Sequence, residues 1–112
     1  MGISTHILDV SRGRPAGRVG VSLERETGGG WTAVGAGATD DDGRCRTLLA
    51  DGTPPQAGTY RLTFAVDEYF GRTGTEAFYP AVSVQFRVRA GEAHYHVPLL
   101  LSPFGYSTYR GS

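Results

Sequence analysis

Two histidines separated by one residue, His94 and His96, are among the side chains of this sequence best suited to chemistry. In an extended strand, residues two apart lie on the same face, so the two imidazoles would lie close enough to share a proton or to bind a metal ion. A metal site needs a third and a fourth ligand, and no metal-ligand spacing connects the pair to Cys45 or to the acidic run 40–42. The sequence therefore predicts no metal and no cofactor, and a packed or solvated pair without any chemistry stays open.

Arg44 follows the run 40–43, which consists of three aspartates and a glycine. The start of this run resembles a calcium-binding loop, but Arg44 and Arg46 supply cations where further oxygen ligands would be needed. We therefore interpret the run as a tight turn that projects Arg44 to the end of a sheet. An arginine in that place is usually solvated, and it gains a functional meaning only when a pocket forms around it.

The other reactive side chains favour acid/base chemistry over covalent catalysis. The sequence contains no Gly-rich phosphate loop, no Gly-x-Ser-x-Gly motif and no Cys/His nucleophile pattern. Its His, Arg, Ser and Tyr side chains suit general acid/base hydrolysis with a cationic or hydrogen-bonding anchor. The polar tail 107–112 adds hydroxyl groups, and although last residues commonly fray, this tail continues strand character after the turn 103–105.

The elements that must position these residues are short strands. Seventeen glycines and six prolines interrupt segments in which apolar and polar residues alternate, as in residues 82–89. This pattern is typical of an all-β domain, and we expect a two-sheet sandwich of about eight strands with one short helix at 67–72. The predicted strands start near Ser4, Val19, Trp31, Gly43, Thr59, Val82, His94 and Ser107.

Two of the predicted strands are apolar on both faces. The strand near His94 carries Pro98 and Leu100 beside His96, while its opposite face is also apolar; in the first strand, His6 shares a face with Leu8. A small sandwich needs only one core face per strand, so a second apolar face requires a partner. We expect that partner to be another copy of the chain.

Composition limits the other functions. With 112 residues we expect one domain, 1–112. Eleven basic and eleven acidic residues balance to zero formal charge, so no overall field attracts nucleic acid or an anionic membrane. Cys45 has no partner for a disulfide, and residues 1–6 lack the basic head and apolar run of a signal peptide. We therefore expect a cytoplasmic protein that binds neither nucleic acid nor membrane.

Seven segments resemble the 5-hydroxyisourate hydrolases of the transthyretin-like family. They are Ser4–Asp9, Gly13–Ala16, Thr39–Arg44, Tyr60–Arg61, Phe78–Pro80, His94–Pro103 and Tyr109–Ser112. The likeness covers nearly the whole chain and keeps the order and spacing of the motifs. One departure is the run Gly35–Ala38, which is a more glycine-rich connection than strand pairing favours.

The resemblance implies the transthyretin fold, which forms dimers through edge strands and then a homotetramer, a dimer of dimers. It implies hydrolysis of 5-hydroxyisourate to 2-oxo-4-hydroxy-4-carboxy-5-ureidoimidazoline in urate degradation, in a channel between the dimers. It also implies that His6, Arg44, His96 and Ser112 form the catalytic site, with the terminal tetrapeptide Tyr109–Ser112, and Ser112 above all, closing it. These four residues and Tyr109 are the expected substrate contacts.

Within this resemblance, individual roles stay partly open. We expect His6 or His96 to act as general base for water, and Arg44 to stabilise the negative charge that develops. Strand parity favours a role for Tyr109 and Arg110 in positioning the tail.

Two other functions compete with the hydrolase. A carrier could bind a small aromatic ligand in the same channel, but a carrier's channel should be lined by apolar and small hydroxyl residues. A structural adhesion sandwich would be expected to have paired cysteines and an export signal.

Overall fold

In a computed structural model, which describes residues 2–49 and 53–112, the chain folds into two β-sheets and one short helix. The elements are β1 (Gly2–Asp9), β2 (Arg14–Pro15), β3 (Gly20–Thr27), β4 (Gly30–Ala38), β5 (Arg44–Cys45), β6 (Gly58–Phe64), α1 (Val66–Arg72), β7 (Val82–Val88), β8 (His94–Ser102) and β9 (Gly105–Thr108). The predicted all-β sandwich with one short helix is therefore confirmed. The described residues contain one more strand than predicted, because residues 14 and 15, expected within a turn, pair with the end of β1.

The first sheet has the order β2-β1-β8-β9, and β5 also pairs with β1. Strands β1 and β8 run parallel over their whole length, with Ser4 opposite His96 and His6 opposite Pro98. Strand β5 runs antiparallel to β1 and places Arg44 opposite His6. This register decides which side chains from distant parts of the sequence meet on one face.

The second sheet has the order β4-β3-β6-β7, and all its neighbours are antiparallel. The inward side chains of both sheets form one core, which includes Ile3, Ile7, Leu23, Leu62, Phe64, Val82, Leu99 and Leu101. Each large apolar side chain buried here contributes about 1.5–3 kcal/mol of transfer free energy. The alternation read in the sequence therefore corresponds to the core and outer faces of the strands.

Helix α1 is tied to the first sheet by a buried hydrogen bond. The Tyr69 hydroxyl donates to Asp9 Oδ2 at 2.7 Å, and the Ser11 hydroxyl donates to Asp9 Oδ1 at 2.6 Å. Burial, followed by the hydrogen bond to Asp9, raises the pKa of Tyr69. Asp9 is fully buried, so these donors stabilise a polar group that would otherwise be costly. No helix within residues 2–49 and 53–112 is both long and apolar enough to cross a membrane.

The glycine-rich run 35–38 belongs to β4 and is not a connection as expected. A Cβ at Gly35 would lie 1.6 Å from the Leu48 carbonyl oxygen, and one at Gly37 would lie 3.0 Å from Cys45 Sγ. Glycine is used here because β5 and the segment that follows it pack directly on the backbone of β4. The departure from ordinary strand composition therefore has a packing cause.

Candidate active site

The outer face of the first sheet gathers the reactive side chains. Ile3, Thr5 and Ile7 point into the interior and are at most 1% exposed, so Ser4 and His6 face outward. The parallel register then places Ser4 beside His96.

A cavity of about 300 Å³ opens on this face. It is lined by Ser4, Thr5, Arg44, Arg46, His94, His96 and Ser112. Three of the predicted catalytic residues, Arg44, His96 and Ser112, therefore line one cavity. Its volume is at the small end of the range for ligand sites, about 300–1,000 Å³, and suits a compact ligand.

The turn before β5 positions Arg44. Asp40 Oδ1 accepts hydrogen bonds from the backbone N–H groups of Asp42 and Arg44, both at 2.9 Å. The bond from the Arg44 N–H is the largest cause of the lowered pKa of Asp40. Gly43 has φ of +77°, and a Cβ there would lie 2.5 Å from the Ile7 carbonyl oxygen. The predicted tight turn that presents Arg44 is therefore confirmed.

His96 is half-buried and surrounded by cationic or potentially cationic groups. Burial is the largest cause of its lowered pKa, and the charges of His6, His94, Arg44 and Arg46 lower it further. Its Nδ1 lies 2.9 Å from Ser4 Oγ. At neutral pH the imidazole is thus uncharged, with Nδ1 engaged by a hydroxyl.

The tail crosses the edge of β8 directly over this imidazole. The Gly111 N–H donates to the His96 carbonyl oxygen at 2.8 Å, which extends the pairing of β8 beyond the end of β9. A Cβ at Gly111 would lie 2.5 Å from His96 Cδ2 and 3.2 Å from Pro98 Cγ. Only a glycine fits against the ring, and this close approach brings Ser112 to the cavity.

Arg110 holds the tail from the other side. Its Nη2 donates to Glu92 Oε2 at 2.7 Å, and its guanidinium carbon lies 4.6 Å from the centre of the Tyr95 ring. A charge-assisted hydrogen bond and a cation–π contact together favour a single arrangement. These contacts are consistent with the tail-positioning role that strand parity predicted for Arg110.

Comparison with known proteins places this chain in a family. A model of the HIUase/Transthyretin family matches residues 3–111. The chain belongs to the HIUase/Transthyretin family.

Relatives in this family include named hydrolases and transthyretins. A probable 5-hydroxyisourate hydrolase of Caenorhabditis elegans is 46% identical, over 98% of this chain and 81% of the relative. The solved 5-hydroxyisourate hydrolase of Klebsiella pneumoniae is 40% identical with a TM-score of 0.85, covering 98% of each chain. Sea bream transthyretin, solved in complex with thyroxine, is 36% identical with a TM-score of 0.88, covering 97% of this chain and 93% of that one. The transthyretin-like fold is thus confirmed, and the backbone alone does not separate hydrolase from carrier.

In this HIUase/Transthyretin family member, two predicted site residues lie outside the cavity lining. His6 Nε2 lies 2.9 Å from the Asp42 carbonyl oxygen, which only accepts, so this nitrogen carries the hydrogen. Tyr109 is 57% exposed and lines a wider recess of about 760 Å³ along the edges of β7 and β9. Within one chain, His6 thus lies opposite Arg44 but outside the cavity lining. Tyr109 lines the other, wider recess.

Ser4 and Gly111 contact His96, and the sequence singled out neither by itself, although the tetrapeptide that contains Gly111 was expected to close the site. The parity of Ser4 with His6 was readable, but its position beside His96 depends on the parallel register of β1 and β8. The need for glycine at 111 arises from the packing of the tail on the ring. Among residues 2–49 and 53–112, no group of three or more His, Cys, Asp or Glu side chains is placed to hold a metal ion.

Proposed function

We propose that this chain hydrolyses 5-hydroxyisourate to 2-oxo-4-hydroxy-4-carboxy-5-ureidoimidazoline, a step of urate degradation, at the cavity around His96. The observation that carries the proposal is the shared cavity of Arg44 and His96, an arginine and an imidazole with lowered pKa. These groups match what water addition to a ring carbonyl requires, namely a proton acceptor and a stabiliser of negative charge. The named hydrolases among the relatives support the same reaction.

In the proposed reaction, His96 Nε2 accepts a proton from water as the water oxygen bonds to the ring carbonyl carbon. Arg44 stabilises the negative charge on the carbonyl oxygen of the tetrahedral intermediate. The carbon–nitrogen bond of the ring then breaks, and the ring nitrogen takes the proton held by the site. The new carboxylic acid loses its proton to solvent, which completes the balance of atoms and charge.

The other predicted residues have supporting roles in this proposal. The Ser112 hydroxyl lines the cavity and offers a hydrogen bond to the ligand. His6 Nε2 donates to the backbone of the turn that presents Arg44, so we assign His6 an orienting role and His96 the role of general base. Tyr109 contributes through the ordering of the tail, or from a neighbouring subunit.

The test is the loss of 5-hydroxyisourate absorbance after urate oxidation, followed with and without the chain. Acceleration proportional to chain concentration supports the hydrolase. The carrier alternative predicts no acceleration together with saturable binding of an aromatic ligand such as thyroxine, which sea bream transthyretin binds. That pair of results would replace the hydrolase with a carrier.

We propose that residues 1–112 act as one domain within a homotetramer, a dimer of dimers. Support comes from Leu8 and Leu100, which face each other on the outer sheet face, and from the exposed Phe78 and Phe104. Apolar surface of this kind favours association. Light scattering should give four times the 12.0 kDa chain mass, and a monomer mass would contradict it.

The buried, unpaired Cys45 supports a cytoplasmic location, which cell fractionation tests.

The pH dependence of turnover reports the state of His96. A general base is inactive once protonated, so kcat/KM should fall as pH drops through the pKa of His96. Because that pKa is lowered, the midpoint of the acid limb should lie below 6.5, the ordinary value. Arg46→Gln removes a nearby cation and should move the midpoint to higher pH. A midpoint at or above 6.5 in the parent, or a downward shift in the variant, would contradict the assignment.

Gly111→Ala should impair turnover more than folding. The added Cβ would lie 2.5 Å from His96 Cδ2, so the ring or the tail must move. We expect kcat to fall about 10-fold or more, because small displacements of reacting groups are costly. Gly30→Ala is the matched control, since neither glycine has a positive φ and nothing lies within 4 Å of a Cβ at Gly30. Parental kcat in Gly111→Ala would show that the tail does not position His96.

A further inference from the structure

The Ser4 hydroxyl lies between the two histidines of β8. Its Oγ is 2.9 Å from His96 Nδ1 and 3.3 Å from His94 Nε2. Ser4 is 6% exposed, whereas His94 is exposed to solvent. The three side chains therefore form a continuous hydrogen-bonded chain from the half-buried imidazole to the surface.

The position of Ser4 is a consequence of strand register. Gly2 pairs with His94 and Ser4 pairs with His96, so Ser4 lies at the level where the two imidazoles project from the same face. Gly2 has no side chain, and nothing lies within 4 Å of the position that its Cβ would occupy. The space beside His94 thus stays open, and the hydroxyl lies within hydrogen-bond distance of both rings.

The proposed reaction makes His96 cationic, and the hydrogen-bonded side chains of Ser4 and His94 would relieve that unfavourable charge. Accepting a proton from water makes the imidazole cationic, and Arg44 and Arg46 line the same cavity. Burial disfavours the cation most, followed by the charges of His6 and His94 and then those of the two arginines, and together they lower the pKa of His96. His94 lines the same cavity but is exposed, so a route that moves the charge from the half-buried His96 to the solvated His94 would stabilise the intermediate.

We propose that Ser4 and His94 form a proton relay that holds the proton between its release by water and its delivery to the ring nitrogen. The inference rests on the proposed hydrolysis. In the resting state His96 Nδ1–H donates to Ser4 Oγ, and the Ser4 O–H donates to His94 Nε2. This arrangement leaves His96 Nε2 free to accept a proton from water.

Each step of the relay is balanced. When His96 Nε2 takes the water proton, the Nδ1 proton passes to Ser4 Oγ and the original hydroxyl proton passes to His94 Nε2. His94 is then the cation, at the exposed end of the chain. Reversal of the two transfers restores His96 Nδ1–H as His96 Nε2 gives its proton to the departing ring nitrogen. Ser4 and His94 act through His96 and are positioning residues.

Four variants test the relay. Ser4→Ala removes the bridging hydroxyl, and Ser4→Thr keeps one. His94→Gln keeps a polar side chain that cannot take up a proton, and His94→Ala leaves room for a small added base. Partners that orient a metal-binding imidazole are typically worth about 10- to 100-fold, and we take the same scale for this imidazole. We expect kcat to fall by about that factor in Ser4→Ala, His94→Gln and His94→Ala, with KM little changed. Ser4→Thr should recover most of the parental kcat.

Rescue by added imidazole separates a relay from a merely structural role. Imidazole should raise kcat of His94→Ala, where it replaces the missing base, and should leave the parent and Ser4→Ala unchanged. Parental kcat in Ser4→Ala and both His94 variants, or the absence of rescue in His94→Ala, would overturn the relay while the hydrolase stands. A parent chain that does not accelerate the reaction overturns the proposed function and the relay with it.

Discussion

Replacing His96 with asparagine is expected to lower kcat for 5-hydroxyisourate by about 10²- to 10⁴-fold, the usual contribution of a general base. The asparagine amide still reaches towards Ser4, so the local hydrogen bond is kept while the proton acceptor is lost. Because His96 is only half-buried, we expect little change in thermal unfolding. The measurement is the initial rate of absorbance loss at saturating substrate.

The control for His96→Asn is a comparison of its fold and its oligomeric state with those of the parent. Circular dichroism and light scattering should match those of the parent, so that lost activity reflects lost chemistry. His6→Asn is a useful comparison, because His6 bonds to Asp42 and lies outside the cavity lining. A larger loss in His6→Asn than in His96→Asn would reverse the assignment of the base.

Replacing Arg44 with alanine is expected to lower kcat/KM by about 10²- to 10³-fold, the typical cost of removing one stabiliser of a developing negative charge. The side chain lines the cavity from β5, and its backbone is held by the Asp40 turn, so the substitution leaves the turn intact. Arg44→Lys keeps the charge but loses the planar fork of donors, and its activity should lie between those of alanine and arginine.

Arg14→Ala is the matched control for Arg44→Ala. Arg14 is exposed on the short strand β2 and lies outside both cavities described above. Its removal should leave kcat/KM at the parental value. Equal activity in Arg44→Ala and Arg14→Ala would show that the anchor is not Arg44.

The sandwich was predictable because apolar and polar residues alternate in several of its strands. Residues 82–88 show the clearest case, and β7 spans those same residues. Strand β2 was not predictable, since two residues beside a proline give no periodic signal and pair only because the chain folds back onto β1. The glycines at 35 and 37 were misleading for a similar reason, because the groups that require them come from a later segment.

The site was predictable in its residue types and less so in its contacts. The Asp40 turn has local hydrogen bonds, so its role in presenting Arg44 followed from the sequence. The contact between Ser4 and His96 spans most of the chain and depends on strand register, which local patterns do not determine. The catalytic roles of His6, Arg44, His96 and Ser112 therefore stay predictions that the variants above test.

The most direct test of the central claim compares the decay of freshly formed 5-hydroxyisourate with the parent chain and with the double variant Arg44→Ala/His96→Asn. Residues that act as one unit are non-additive, so the double variant should be little worse than the poorer single variant. We predict that the parent chain accelerates decay in proportion to its concentration and that the folded double variant accelerates it at least about 10²-fold less. Equal acceleration by both proteins would contradict a site built on Arg44 and His96, and no acceleration by the parent would contradict the hydrolase.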